Sequence, residues 1–100
     1  MIWEILVPTI HADGSRIVVP FHQQWDAKVR AIANGLTILS PAKGQWISPS
    51  GTLFRERMIP VRIFCTEEQI EQIARMTIEH YDQEAVMYYR VSADARIMYR

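Results

Sequence analysis

Apolar residues recur three or four positions apart in two parts of the chain, which is the spacing of an amphipathic helix. In the first part they are Phe21, Trp25, Val29 and Ile32, and Asn34-Gly35 then supplies a C-terminal stop signal. The pattern predicts a first helix that ends near this stop signal.

A second helix is predicted after Cys65. Thr66-Glu67-Glu68-Gln69 is typical of a capping box, in which the threonine and glutamine side chains each accept a hydrogen bond from a free backbone N–H group. The apolar stripe that follows is continuous at helical spacing. Its members are Ile70, Ile73, Ala74, Thr77, Ile78 and Tyr81.

Four further segments are predicted as strands because they are short and rich in apolar, aromatic or β-branched residues. In the third of them Pro60 is expected to mark a bend or bulge, since proline cannot donate to a strand ladder. The region from Pro41 to Gly51 contains two prolines and two glycines and is predicted as a loop or a distorted hairpin. The predicted strands are Ile2 to Val7, Leu36 to Leu39, Leu53 to Cys65 and Ala85 to Val91, with Ala95 to Tyr99 as a candidate short fifth.

The resulting order is strand, helix, strand, strand, helix, strand, which is the split βαβ arrangement of a ferredoxin-like fold. Right-handed crossovers would then place both helices on one face of an antiparallel sheet. We therefore predict a single α+β domain over residues 1–100, a length that suffices for one hydrophobic core.

The face of the sheet that carries no helix is also predicted to be apolar. In the third strand Val61, Ile63 and Cys65 alternate with Arg62 and Phe64, where a solvated face should be mainly polar. Because an exposed apolar patch of that size marks an interaction surface, we expect a homo-oligomer that packs sheet on sheet or edge on edge. The alternative is that residues 95–100 or the loop carrying Trp46 cover this face within one chain.

Composition and charge limit the partners and the location that we expect for this protein. Hydrophobic residues make up 49% and charged residues 22%, as in ordinary globular domains, and 11 basic residues balance 11 acidic ones. This balance gives no field that would attract nucleic acid or an anionic membrane, so neither is expected as a partner. No apolar run approaches the roughly 20 residues that span a bilayer. The N-terminus does not resemble a signal peptide, which favours a cytoplasmic protein.

A cluster of polar residues around the third strand is the best candidate for a binding site. Arg55 and Arg57 would share one strand face while Glu56 takes the other, and two guanidinium groups can grip a carboxylate or a phosphate. Alternatively, these arginines pair with Glu56, Glu84 or a partner subunit and only fix a hairpin. The residues of the binding hypothesis are Gln45, Trp46, Arg55, Glu56, Arg57 and Glu84.

The sequence gives less support for metal binding, cofactor binding or catalysis. His11, His22 and His80 lack the spacing of metal ligands, and we interpret His80 as a C-terminal helix cap. The glycines form no phosphate-binding or dinucleotide-binding motif, so neither a metal nor a cofactor is predicted. Cys65 is the only cysteine, which excludes an internal disulfide, and its position predicts a buried, inert thiol. Glu4 is either a buried charge paired with Arg62 or Arg90, or an unpaired general base.

Four short motifs occur in order within residues 21–91, and together they resemble an uncharacterised bacterial family known only as a domain of unknown function. Members of that family often carry a signal or lipoprotein segment, which we do not find at the start of this chain. The resemblance implies the ferredoxin-like fold and a functional region around the motifs, but it implies no reaction. The motifs are Gly35-Leu36-Thr37-Ile38-Leu39, Gly44-Gln45-Trp46 with Gly51, Arg55-Glu56-Arg57 and Tyr81-Asp82-Gln83-Glu84-Ala85-Val86.

Two hypotheses of function follow. In the first, the protein is a non-catalytic module that binds a small anionic ligand or a protein partner through the loop and hairpin of residues 40–57. In the second, it is a cofactor-independent enzyme whose cavity lies between the sheet and a partner subunit. The residues that would line that cavity are Glu4, Trp46, Arg62 and Tyr88.

Overall fold

Two helices and five strands follow one another along the chain in the computed structural model, which describes all residues from 1 to 100. Every strand pairing in the sheet is antiparallel. This architecture confirms the predicted α+β ferredoxin-like fold. The elements are β1 (Ile2–Pro8), α1 (Val19–Ala33), β2 (Thr37–Ile38), β3 (Ala42–Ile47), β4 (Leu53–Phe64), α2 (Glu67–Tyr81) and β5 (Tyr88–Ser92).

The 12-residue strand β4 organises the sheet. One edge of β4 pairs with β1, which in turn pairs with β5. The other edge pairs with β2 near Val61 and with β3 from Leu53 to Met58. The region predicted as a loop or a distorted hairpin therefore contains a regular strand, and β3 and β4 form a long hairpin.

Pro60 lies inside β4 without interrupting it. It is opposite Leu6 in a register that runs without a shift from one end of β1 to the other. Its carbonyl oxygen accepts from the N–H of Leu39 at 2.9 Å, so its backbone polar groups are directed away from β1. The missing N–H therefore falls where β4 changes partner between β2 and β3, and it costs the sheet no hydrogen bond. The expectation of a bulge at Pro60 is wrong; the register shift lies instead between Ile2 and Trp3, in the β1–β5 pairing.

The core lies between the helices and one face of the sheet. The capping box of α2 is confirmed: the hydroxyl of Thr66 accepts from the N–H of Gln69 at 3.2 Å, and the Gln69 side chain accepts from the N–H of Thr66 at 3.0 Å. Helix α1 ends at Asn34 in the left-handed conformation, with φ 71°. Neither helix has the length and apolarity needed to cross a membrane. The most deeply buried side chains are Ile5, Val7, Trp25, Val29, Val61, Ile63, Ile70, Ile73 and Thr77.

The last strand and the C-terminal segment differ from the prediction. Strand β5 begins at Tyr88, three positions after the predicted start at Ala85, because residues 82–87 form the connection that follows α2. Residues 95–100 form no strand, and the side chains of Met98 and Tyr99 are 96% and 84% exposed. A strand-like composition reports how well residues fit a half-buried pleated surface, and these residues contact no such surface.

The opposite face of the sheet, which we call the open face, carries no helix. The strand register and the alternation of side chains define its membership. Several of its rings remain partly exposed, with Phe64 at 41% and Tyr89 at 43%, so this face is not fully covered within one chain. The open face consists of Ile2, Glu4, Leu6, Pro8, Trp46, Phe54, Glu56, Met58, Pro60, Arg62, Phe64 and Tyr89.

Candidate functional site

The β3–β4 hairpin projects beyond the part of the sheet that the helices cover. Residues 53–57 of β4 are all exposed, whereas Val61 and Ile63 are buried under the helices. A short connection closes the hairpin: the N–H of Gly51 donates to the carbonyl of Ser48 at 2.9 Å. Gly51 has φ +86°, which a residue with a side chain rarely adopts, so this turn requires glycine. The hairpin is thus a regular structure that can hold side chains in a fixed order.

Three cationic side chains lie together on one side of this hairpin. Lys43 is directly opposite Arg57, and Gln45 is directly opposite Arg55. Alternation along each strand puts these four side chains on the same face. We call them the basic face; they line a shallow depression of about 290 Å³ together with Gly44 and Glu56, and no hydrophobic residue contributes to it.

The cations of the basic face have no acidic partner. The one ion pair of the protein joins Arg62 to Glu4, and the side chains of Lys43, Arg55 and Arg57 make no hydrogen bond. Like charges directly opposite each other on neighbouring strands destabilise the pairing. The backbone is nevertheless anchored here, because the Thr9 hydroxyl donates to the carbonyl oxygen of Arg57 at 2.8 Å. An anion bound between the cations would relieve the repulsion.

The structure brings together only part of the predicted site. Gln45, Arg55 and Arg57 share the basic face, whereas Trp46 and Glu56 lie on the other face of the hairpin. Glu84 lies in the loop before β5, on the far side of β1 from β4, and forms no ion pair.

Trp46 does not line the basic face. Its ring stacks on Phe54, with centroids 4.7 Å apart and planes 16° apart, on the open face.

The predicted site does not include Lys43, because residues 41–51 are predicted as a loop or a distorted hairpin. The available signal was its spacing of two from Gln45, which puts both side chains on one face once β3 is recognised as a strand.

Glu4 is the paired buried charge of the first alternative. Its side chain is on the open face and Glu4 is only 6% exposed. Arg62 Nε donates to Glu4 Oε1 at 3.0 Å, and the Tyr89 hydroxyl donates to Glu4 Oε2. Tyr88 lies on the opposite face of β5 from Tyr89, with its ring 6.2 Å from that of Trp3. The residues proposed to line an enzyme cavity therefore do not converge within one chain.

Cys65 is buried, as predicted, and burial raises the pKa of its thiol above the ordinary value. A second depression of about 320 Å³ lies beside it at the start of α2. The polar side chains of this depression are already bonded: Thr66 and Gln69 form the capping box, and Gln69 also donates to the carbonyl of Ile32 at 3.0 Å. This depression therefore offers little chemistry for a ligand.

Histidines join the two helices. His80 Nε2 lies 2.8 Å from the carbonyl oxygen of Phe21 and Nδ1 lies 3.0 Å from Lys28 Nζ, so Nε2 donates and Nδ1 accepts. His22 Nδ1 and the Tyr81 hydroxyl are hydrogen-bonded at 2.6 Å. Burial lowers the pKa of both histidines, which favours these neutral forms. His80 thus links α2 to α1 in addition to lying in the last turn of α2. No three His, Cys, Asp or Glu side chains are grouped so as to hold a metal ion.

Several solved structures share this fold. The periplasmic divalent cation tolerance protein CutA from Archaeoglobus fulgidus superposes with a TM-score of 0.68 at 8% identity, over 96% of this chain and 85% of that one. A phage SAM lyase in complex with S-methyl-5'-thioadenosine has a TM-score of 0.65 at 15% identity, over 87% and 76%. CutA from Synechococcus elongatus PCC7942 has a TM-score of 0.59 at 17% identity, over 88% and 70%. No protein-family model and no curated protein matches the chain. At these identities the likeness shows the fold alone.

Proposed function

We propose that this protein is a self-associating, non-catalytic module that binds a small anion on the basic face of the β3–β4 hairpin. The observation that carries the proposal is the position of Lys43 opposite Arg57, next to Arg55, without any acidic partner. Guanidinium groups grip carboxylates and phosphates through two parallel hydrogen bonds, and lysine adds a point charge. An acidic surface of a protein partner would use the same three cations.

A non-catalytic role is supported by the hydrogen bonds and the pKa shifts of the side chains that could take part in catalysis. Glu4 is bonded to Arg62 and Tyr89, so its carboxylate is not free to act as a base. Burial raises the pKa of the Cys65 thiol, which disfavours the reactive thiolate. His22 and His80 are each engaged between the helices. None of these groups faces the basic face.

Self-association is supported by the composition of the open face. Its aromatic and aliphatic side chains surround the ion pair of Glu4 and Arg62, so the centre of the surface has no unbalanced charge. The other charged residue of this face, Glu56, lies on the β3–β4 hairpin, away from that centre. A second copy of the chain is the partner best suited to such a face, because a self-complementary patch closes with two-fold or higher symmetry. The resemblance to the bacterial family of unknown function stays a prediction. So does a cytoplasmic location, since one structural neighbour is described as periplasmic.

The anion site is tested by removing one charge from the basic face and one from elsewhere. We expect inorganic phosphate to bind wild-type protein in isothermal titration calorimetry at low ionic strength, and Arg57→Gln to weaken binding by at least about 10-fold, because a charge-assisted hydrogen bond contributes about 1.5–3 kcal/mol. Arg75→Gln removes the same charge from the exposed surface of α2 and should bind as wild type does. Equal weakening in both variants, or no binding of phosphate or of a dicarboxylate such as succinate, would contradict the proposal.

A further inference from the structure

The basic face continues into an apolar pair at the tip of the hairpin. Ile47 is directly opposite Leu53, one alternating step beyond Gln45 and Arg55. Because side chains two residues apart point to the same side of a strand, this apolar pair shares the face of the cations. Ile47 is 69% exposed and Leu53 is 48% exposed, although both are large apolar side chains.

The order of side chains along this face defines two ends. Lys43 and Arg57 form the charged end, Arg55 comes next, and Ile47 with Leu53 forms the apolar end. Each step of two residues along a strand covers about 7 Å. The apolar pair therefore lies about 7 Å from Arg55 and about 14 Å from Lys43 and Arg57, within the reach of one small molecule.

The apolar pair is separate from the open face. Trp46 and Phe54, the neighbours of Ile47 and Leu53 in sequence, stack on each other on the other side of the hairpin. A site for inorganic phosphate alone would need only the cations, and a surface for another subunit would not need unpaired cations beside its apolar residues. The two features together suit a ligand that is charged at one end and apolar at the other.

We propose that the ligand of the basic face is an amphiphilic anion: a phosphate or carboxylate head held by Arg55, Arg57 and Lys43, with an apolar body that lies over Ile47 and Leu53. This inference rests on the proposed anion site and adds the chemical class of the ligand. The head supplies the negative charge that the three cations lack, and the apolar body covers two side chains of which the chain leaves about half or more exposed.

A chain-length series tests the ligand class. Inorganic phosphate, butyl phosphate and hexyl phosphate are titrated into the wild-type protein, with hexanoate as the carboxylate arm. A fully buried CH₂ group raises affinity about fourfold, and because the face is open we expect hexyl phosphate to bind about 10-fold more tightly than inorganic phosphate. The double variant Ile47→Ser, Leu53→Ser should bind inorganic phosphate as wild type does and lose the gain from the alkyl chain.

Matched variants on the other side of the hairpin provide the control. Trp46→Ser with Phe54→Ser should retain the gain, and hexanol, which has no charge, should not bind detectably. If inorganic phosphate binds but hexyl phosphate binds no more tightly, the amphiphile is ruled out and the anion site stands. If neither binds, both proposals fail. If Ile47→Ser, Leu53→Ser changes the number of subunits and leaves the alkyl gain intact, the apolar pair belongs to a subunit interface and the inference is overturned.

Discussion

The carboxylate of Glu4 ties three strands together. It lies on β1 and accepts hydrogen bonds from Arg62 on β4 and from Tyr89 on β5. A carboxylate that is only 6% exposed is costly without partners, so the two donors are what allow an acidic residue at this position. The sequence leaves Arg62 and Arg90 as possible partners of Glu4. The register of β1 against β4, in which Glu4 is opposite Arg62, identifies Arg62 as the partner.

Removal of the arginine should therefore destabilise the protein more than the loss of one surface ion pair would. We expect Arg62→Met to lower the free energy of unfolding by about 1–3 kcal/mol, less than for a fully buried pair because the Arg62 side chain is 47% exposed. Urea denaturation monitored by tryptophan fluorescence measures the change. In the double variant Glu4→Leu, Arg62→Met no charge is left unpaired, so its loss should be smaller than the sum of the single losses. Additive losses would show that the two side chains are not coupled.

Helix α2 and the β3–β4 hairpin illustrate what local sequence can determine. The signals for α2 are local: the capping box and a stripe repeated at helical spacing, and both are present in the structure. The hairpin depends on a register between strands that only tertiary pairing fixes. For this reason Arg55 and Arg57 could be placed on one face from alternation alone, whereas the position of Lys43 opposite Arg57 could not. Trp46 was grouped with the arginines because it is close in sequence, although adjacent strand residues point to opposite faces.

The contact between α1 and α2 should weaken as the pH falls. Burial lowers the pKa of His22 and His80 below the ordinary value of 6.5, so the unfolded chain binds more protons than the native protein as the pH falls through this value. The contribution to stability is fully present above pH 6.5 and is lost below it. The charged groups beside the two rings are Lys28 and His11, which oppose protonation, and Asp26, which favours it.

The measurement is the free energy of unfolding in urea between pH 8 and pH 5.5, a range in which most carboxylates stay ionised. We expect it to decrease toward pH 5.5 in the wild-type protein and to decrease less in His80→Gln, whose amide N–H can still donate to the carbonyl of Phe21. His11→Gln serves as the comparison, since the His11 side chain forms no hydrogen bond between the helices and contacts Phe21 through a ring edge. A pH dependence that is identical in His80→Gln and the wild-type protein would contradict a role for this histidine.

In the molecule as a whole, the two faces of the sheet are apolar for different reasons. One face packs under α1 and α2 and forms the core, and its composition is explained within one chain. The open face has no such explanation, because Phe64, Tyr89 and Phe54 remain about two-fifths exposed. The fold could be predicted from the order of elements alone. The proposed assembly through the open face could not, since contact with a second copy would leave no trace in the order of elements.

Assembly through the open face can be distinguished from nonspecific association by two matched charge substitutions. Phe64→Glu puts a charge on the open face at the end of β4, where burial against a second copy would leave that charge without a partner. Val19→Glu puts the same charge at the start of α1, on a side chain that is 65% exposed and lies on the helical side of the sheet. We expect the wild-type protein and Val19→Glu to be oligomers in native mass spectrometry at micromolar concentration, and Phe64→Glu to be a monomer with unchanged circular dichroism. A monomeric wild-type protein would refute assembly, and an oligomeric Phe64→Glu would move the interface to an edge of the sheet, where β5 and β3 each have an unpaired side.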